Sequence, residues 1–345
     1  MRTNHTSRKH RPTLHALRCI SYIVLLISGL QCQASAAEVQ NLRFAHNGGP
    51  GSLYEACVNE YARRVNAKLP EGFALSPVGL GGLGDDMAVL EKVKRGDVTI
   101  NLTSSIMPRI SDKFAIFELP FLINDRVQMR EVTQVLLNRY LQEEARKNGF
   151  RILAIWENGF RHLTNNTRPI KQPEDLRGLK IRIAKGGPWR EKIFKMLGAE
   201  PVPMSVHETY DALKSGAVDG EENPLQQIKG MKFDEVQRYL TFSAHVYTPA
   251  SVLVGEEAFT KLPVAAQRAL TTSAVEMQSW VEQAAIHLDS ELVDELEQKM
   301  QANQVNIRAF QAATRPLYGE FIRTVPDGAK MLELVTDITE RTAVR

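Results

Sequence analysis

Arg182 stands in a sequence context where it could bind an organic acid. It lies between Ile181 and Ile183 in a short β-type run, and alternation along a strand places it on the face opposite its apolar neighbours. An always-charged guanidinium on a rigid strand is suited to a two-pronged grip on a carboxylate. The alternative is a salt bridge to a protein acid such as Glu222, because a buried arginine must be paired.

Arg161 and Asn223 are two further candidates for ligand contacts. Arg161 follows Gly159 and Phe160 in a predicted loop of residues 157–161, and Asn223 lies in a predicted turn of residues 219–224. Arg161 could contact a ligand or form a surface or inter-lobe salt bridge. The Asn223 amide could donate to and accept from a ligand, or it could bond its own backbone.

Several acids could accept hydrogen bonds from ligand hydroxyls, in particular Glu157 and Glu222. Paired acids could also indicate acid–base catalysis. However, Glu221 and Glu222 are adjacent in sequence, as are Asp85 and Asp86, and adjacent residues on a strand or helix point apart. We therefore expect a binding protein and not an enzyme.

The chain contains a glycine pattern that resembles a nucleotide-binding loop. Residues 79–84 match Gly-x-Gly-x-x-Gly between a predicted strand and a predicted helix, which leaves an exported nicotinamide-dependent oxidoreductase as an alternative. A tight strand-to-helix turn explains the same glycines. The histidines lack metal-ligand spacing, and we expect no cofactor and no metal.

The first 36 residues have the pattern of a secretion signal. Five basic residues precede an apolar run of about eleven residues, which is short for a membrane span, and Ala34-Ser35-Ala36 fits a cleavage site. The remaining 309 residues carry 38 basic and 40 acidic side chains, a net charge of −2. This balance does not indicate a nucleic-acid partner. Cys57 would be the one cysteine left and is expected to be a buried thiol.

Strand and helix patterns alternate through the chain, which predicts an α/β fold with a largely parallel, covered sheet. One series of strands and helices covers residues 42–156, and a second begins after Arg161 and includes a capping box at Ser205–Glu208. Residues 263–304 lack further proline and glycine and predict one long helix, or two helices with a short break.

The mature sequence resembles the solute-binding proteins of tripartite ATP-independent periplasmic (TRAP) transporters, of the DctP type. The most specific matches are residues 159–161, 173–182, 197–204, 210–213 and 216–224. The resemblance implies a periplasmic protein with two α/β lobes around a cleft, a hinge and a long helix that spans both lobes. We expect lobe I to contain residues 37–158 and 247–288, and lobe II residues 159–246 and 289–345.

The resemblance also implies roles for individual residues. Arg182 would form the salt bridge to the ligand carboxylate, Asn223 would help to hold the same group, and Arg161 would lie near the site. Asn47 would contact the ligand from the first strand–helix loop. Glu157, Asp86 and Glu222 fall at positions that would contact ligand hydroxyls.

The implied partners are a small organic acid and the TRAP membrane subunits, with the protein itself a monomer. Arg161 and Lys185 beside Arg182 would suit a dicarboxylate, whereas the acids Glu157, Asp86 and Glu222 would suit a hydroxylated sugar acid. We favour the sugar acid slightly. A ligand-presenting protein for a sensor or chemoreceptor would bind in the same way and differ in its partner.

Overall fold

The computed structural model describes residues 39–343, which form one nine-stranded mixed sheet covered by helices. The predicted signal, residues 1–36, lies outside the described residues. The strands are β1 (Gln40–His46), β2 (Phe73–Val78), β3 (Ile100–Thr103), β4 (Phe150–Asn165), β5 (Lys180–Ala184), β6 (Glu200–Met204), β7 (Gly220–Asn223), β8 (Tyr239–Gly255) and β9 (Gln301–Gln304).

The helices alternate with the strands as the sequence patterns predict. They are α1 (Leu53–Asn66), α2 (Asp86–Arg95), α3 (Arg126–Leu136), α4 (Gln142–Lys147), α5 (Pro188–Met196), α6 (Val206–Ser215), α7 (Leu225–Gly230), α8 (Glu256–Thr260), α9 (Val264–Glu276), α10 (Gln278–Lys299), α11 (Ile307–Thr314), α12 (Pro316–Thr324) and α13 (Gly328–Ala343). Within residues 39–343, no helix combines the length and apolar character that a membrane crossing needs.

The sheet has two similar halves. Its strand order is β2-β1-β3-β8-β4-β7-β5-β6, with β9 beside β8. In each half a central strand pairs in parallel with two neighbours: β1 with β2 and β3, and β5 with β6 and β7. The long strands β4 and β8 pair with each other in antiparallel fashion and join the halves. The sheet is therefore parallel within each half, as predicted, and antiparallel at its centre.

The long helical segment packs on both halves of the molecule. Val281 and Ala285 of α10 lie in the core that contains β1, whereas Leu292 and Leu296 lie in the core that contains α6. Helices α9 and α10 are separated by Met277 alone, whose backbone stays in the right-handed helical region. The predicted helix that spans both lobes is confirmed, but it ends at Lys299 and gives way to β9.

Two local predictions are wrong. Residues 157–161 do not form a loop: they belong to β4, and the pairing of β4 with β8 shifts register between Trp156 and Gly159. Gly159 has a φ of 114°, so the glycine serves an irregularity inside a strand. A glycine in a loop and a glycine at a strand irregularity therefore look alike in the sequence.

The predicted turn of residues 219–224 is also a strand. Gly220–Asn223 form β7, which is buried along its whole length between β4 and β5. A Cβ on Gly220 would lie 2.2 Å from the backbone oxygen of Thr164. This glycine therefore allows two strands to approach closely. Because a turn also favours glycine, the sequence does not distinguish the two cases.

The capping box that starts α6 is confirmed and gives a test of the local helix signals. The Ser205 hydroxyl accepts a hydrogen bond at the helix start, and Glu208 accepts one from the Ser205 backbone N–H. We expect Ser205→Ala to lower the free energy of unfolding by about 1 kcal/mol in urea titrations. Ser290→Ala, in the exposed middle of α10, is the control. Equal stabilities for both variants would contradict the capping role.

Candidate functional site

The carboxyl ends of the parallel strands meet around one cleft. Asn47 follows β1, Ser104 follows β3, Ala184 ends β5 and Asn223 ends β7. The cleft is a small cavity of about 70 Å³ that is partly open to solvent. Its lining consists of Asn47, Tyr54, Asp86, Thr103, Ser104, Ser105, Ile106, Asn158, Arg161, Arg182, Ala184, Val206, Asn223 and Gln227.

Arg182 lines this cleft from β5 and is 2% exposed. Its Nε and Nη2 atoms donate to the backbone oxygen of Met204 at 3.1 and 2.8 Å. Among residues 39–343, no carboxylate lies within 4.0 Å of its guanidinium, so the alternative of a salt bridge to Glu222 is not formed. Burial lowers the pKa of Arg182, against the field of Glu221 and Glu222. A nearly buried cation without an ion pair in its own fold favours an anionic ligand.

Arg161 reaches the cleft from β4, but its charge is already matched. Its Nε donates to Glu222 Oε2 at 2.5 Å, and its Nη2 donates to Glu222 Oε1 at 3.0 Å. The same Nη2 donates to Asn223 Oδ1 at 2.9 Å. The salt-bridge alternative therefore describes Arg161, which orients the Asn223 amide at the cleft surface.

Asn223 is held on both sides of its amide. Its Oδ1 accepts from Arg161, and its Nδ2 donates to Glu221 Oε2 at 2.5 Å. An amide nitrogen carries two protons, so one N–H of Asn223 has no assigned acceptor in these contacts. Because Asn223 lines the cleft beside Arg182, this N–H can serve a bound carboxylate.

Glu222 lies behind the lining and not in it. It is fully buried and contacts Arg161, Arg190 and the His245 ring. Burial raises the pKa of the Glu222 carboxyl, but the fields of Arg161 and Arg190 outweigh this effect and hold the pKa well below its usual range. Glu222 therefore stays ionised and anchors arginines; the cleft geometry does not place it on ligand hydroxyls.

Asn47 and Asp86 line the cleft from the half of the sheet that contains β1 and β2. Asn47 Nδ2 donates to Asp86 Oδ1 at 2.8 Å, and Asp86 occupies the first turn of α2. The preceding Asp85 caps the same helix by accepting from the Ala88 N–H at 2.9 Å. Two carboxylates therefore lie at the start of the helix that follows the glycine-rich residues 79–84. A dinucleotide phosphate at this helix start would need a positive potential, so the two carboxylates disfavour the nicotinamide-binding alternative.

Glu157 lies outside this cleft. Its side chain is 6% exposed and lines a different cavity together with Arg126, and it contacts the Tyr247 hydroxyl. Burial raises the pKa of Glu157 to about 7. The bulge in β4 separates Glu157 from its neighbour Asn158, which is the one that lines the cleft.

The sequence patterns singled out five of the lining residues and missed several others. The missed polar groups are Tyr54, Thr103, Ser104, Ser105, Asn158 and Gln227. Asn158 donates to Ser104 Oγ at 3.2 Å and to Thr248 Oγ1 at 3.0 Å. The ends of β1 and β3 were a usable signal, because ligands of parallel sheets bind outside the carboxyl ends of the strands.

The sequence matches a family profile described as bacterial extracellular solute-binding protein, family 7 (DctP), over residues 44–324. The chain is 27% identical over 327 residues to the 2,3-diketo-L-gulonate-binding periplasmic protein YiaO of Escherichia coli, covering 93% of this chain and 99% of that protein.

Solved structures of TRAP periplasmic solute-binding proteins are also similar to this chain. A TRAP periplasmic solute-binding protein from a Polaromonas species, bound to D-erythronate, is 27% identical with a TM-score of 0.81 and covers 86% of this chain and 98% of its own. One from Sulfurospirillum deleyianum, with bound succinate, is 26% identical with a TM-score of 0.82 and covers 87% of this chain and 99% of its own.

The buried carboxyl of Glu221 gives a pH test of the site. It accepts from Thr164 Oγ1 at 2.8 Å and from Asn223, and burial raises its pKa from 4.5 to about 7. Because the carboxyl pKa is higher in the folded state, the free energy of unfolding falls as pH rises from 4.5 to about 7. Above that pH this carboxyl causes no further loss of stability. Glu221→Gln lacks this loss.

We therefore expect the stability of Glu221→Gln relative to wild type to increase by about 2–3 kcal/mol between pH 4.5 and pH 8. Urea unfolding across this pH range measures the difference. Glu200→Gln, at an exposed position of β6, should show a constant difference. A flat profile for Glu221→Gln would contradict the raised pKa.

Proposed function

The chain belongs to the DctP family of bacterial extracellular solute-binding proteins, and we propose that it captures a hydroxylated monocarboxylic acid, such as a sugar acid. The supporting observation is Arg182, a nearly buried cation without an ion pair among residues 39–343, in a cleft whose other groups are mostly neutral hydroxyls and amides. The predicted family, periplasmic location and transport function are confirmed by the family match and the TRAP structures.

The ligand carboxylate binds at Arg182 in this proposal. The guanidinium is fixed on β5 by its two hydrogen bonds to the Met204 oxygen, so little side-chain freedom is lost on binding. The N–H of Asn223 that has no assigned acceptor reaches the same anion. Attraction between the two charges strengthens as water leaves the cleft, because the effective dielectric falls.

The remaining lining suits hydroxyl groups. Asn47, Asp86, Ser104, Ser105 and Asn158 supply both donors and acceptors around the cleft. A sugar acid presents several hydroxyls that can satisfy these groups, whereas an aliphatic acid would leave buried polar atoms without partners. The E. coli relative is named for a sugar-acid-type ligand, and the Polaromonas protein holds D-erythronate.

A second carboxylate is less well served by the cleft. Arg161 is neutralised by Glu222, and Lys185 pairs with Asp85 at 3.2 Å outside the lining. Asp86 would repel a second anionic group. The Sulfurospirillum protein holds succinate, so the family accepts both kinds of acid, and the charges of this cleft favour one carboxylate.

Capture requires that the cleft opens and closes. We propose a lobe I of residues 37–158 and 247–288 and a lobe II of residues 159–246 and 289–345. The two strands that join the halves of the sheet support this division, because each has an irregular position near the proposed boundary. Strand β4 has its bulge at residues 157–158, and Ala244 in β8 has a φ of 44°. Such irregular positions can absorb a backbone rotation. The loaded protein would then dock on TRAP membrane subunits, without a catalytic step.

The role of Arg182 is tested by binding measurements with its truncation. We expect Arg182→Ala to weaken binding of D-galactonate by roughly 2–5 kcal/mol in isothermal titration calorimetry, the usual loss when one partner of a buried charge pair is removed. Arg168→Ala is the matched control, because Arg168 also donates to backbone oxygens but lies away from the cleft. An Arg182→Ala loss within about 0.5 kcal/mol of the control would reject the proposal.

The preference for one carboxylate is tested at Asp86. Asp86→Asn keeps the size of the side chain and removes its charge. We expect the ratio of galactonate to succinate affinity to fall by about tenfold or more, since a like-charge contact is removed. Asp294→Asn, at an exposed position of α10 outside the lining, should leave the ratio unchanged. An unchanged ratio in Asp86→Asn would show that Asp86 does not select between the acids.

A further inference from the structure

Arg190 is a fully buried arginine that the cleft lining does not include. It lies in the first turn of α5 and has no exposed surface. Its Nε and Nη2 donate to Glu118 Oε2 at 2.9 and 2.7 Å, and its Nη1 donates to Glu222 Oε2. A guanidinium in this setting is stable because both carboxylates compensate its charge.

A chain of contacts connects Arg190 to the cleft surface. Arg190 holds Glu222, Glu222 binds Arg161 in a two-pronged pair, and Arg161 donates to Asn223 Oδ1 at 2.9 Å. Asn223 and Arg161 line the cleft. Arg190 can therefore affect a bound acid through the orientation of Asn223 without a contact of its own.

The same four charged residues balance each other. Arg161, Glu222, Arg190 and Glu118 alternate in sign along the contacts, and all are at most 4% exposed. We name this set the ionic ladder. Glu118 lies in the helical turn Asp112–Glu118, so the ladder ties a segment between β3 and α3 to strand β7. Its charges sum to zero, which leaves Arg182 as the cation of the described lining that has no ion pair.

We propose that Arg190 is a positioning residue for ligand capture: with Glu118 as its counter-charge it fixes Glu222, and through Glu222 it fixes Arg161 and Asn223 against the ligand carboxylate. This inference rests on the proposed function, because it assigns the ladder to the binding of an acid at Arg182. No sequence pattern indicates this role, since a single arginine on an amphipathic helix is usually solvated.

The test compares the mature protein with a charge-balanced double variant and a control variant. Arg190→Met removes the charge and leaves Glu118 buried alone, so it could fail to fold for that reason. Arg190→Met combined with Glu118→Gln removes one positive and one negative charge and keeps the local balance. We expect the double variant to fold and to bind D-galactonate 10- to 100-fold more weakly than wild type in calorimetry.

Lys192→Met is the matched control on the same helix, because Lys192 forms a partly exposed ion pair with Glu320 away from the ladder. Its affinity should stay within twofold of wild type. A double variant that also stays within twofold would overturn the positioning role.

A ligand-free readout separates this inference from the proposed function. The Asn223 side-chain NH₂ signals in ¹H–¹⁵N NMR spectra, assigned with Asn223→Asp, should shift in the double variant and stay in place in Lys192→Met. Unchanged signals would overturn the inference. If wild type binds none of D-galactonate, D-erythronate, D-glucuronate and succinate, the proposed function fails, and the Asn223 signals alone decide the role of Arg190.

Discussion

The burial of Arg182 without a protein carboxylate is the interaction on which the site depends. Taking a guanidinium out of water is unfavourable unless an anion or several acceptors compensate it. In the fold itself Arg182 has the Met204 oxygen, with the field of Glu221 and Glu222 behind it. An organic acid supplies the anionic partner that residues 39–343 do not provide at Arg182. Binding therefore gains free energy, because it offsets the desolvation cost of the guanidinium that remains after folding.

The rest of the architecture keeps that cation in position and pairs the other cations near it with carboxylates. The two parallel half-sheets point the carboxyl ends of β1, β3, β5 and β7 at one cleft. The ionic ladder then neutralises Arg161, and the Asp85–Lys185 pair removes a second cation from the lining. The cleft thus holds Arg182 as a cation without an ion pair in the described part of the chain and Asp86 as a carboxylate, and the proposed preference for a hydroxylated monocarboxylate rests on these two charges.

Much of the fold could be predicted from the sequence because its signals are local. Ser205 and Glu208 cap α6, Gly96 and Gly216 end helices in the left-handed region, and the β-type run around Arg182 forms β5. The glycines at 159 and 220 failed as signals, since a bulge and a close strand contact need the same residue as a loop or a turn. Propensity alone does not distinguish these uses.

The site was predictable to the extent that it depends on strand ends. Arg182, Asn223, Arg161, Asn47 and Asp86 meet in the cleft, whereas Glu157 and Glu222 do not line it. One residue along an irregular strand decides whether Glu157 or Asn158 faces the cleft, and no single-sequence pattern fixes that register. The pairing of Glu222 with Arg161 and Arg190 joins elements distant in sequence, and only the packed fold brings them together.

A crystal structure of the protein with the acid that most raises its unfolding temperature tests the central claim most directly. The account predicts that both carboxylate oxygens lie within hydrogen-bond distance of the Arg182 guanidinium, about 3 Å, and that the hydroxyls face Asn47 and Asp86. A bound acid whose carboxylate lies elsewhere, with Arg182 still bonded to the Met204 oxygen and to no anion, would contradict it.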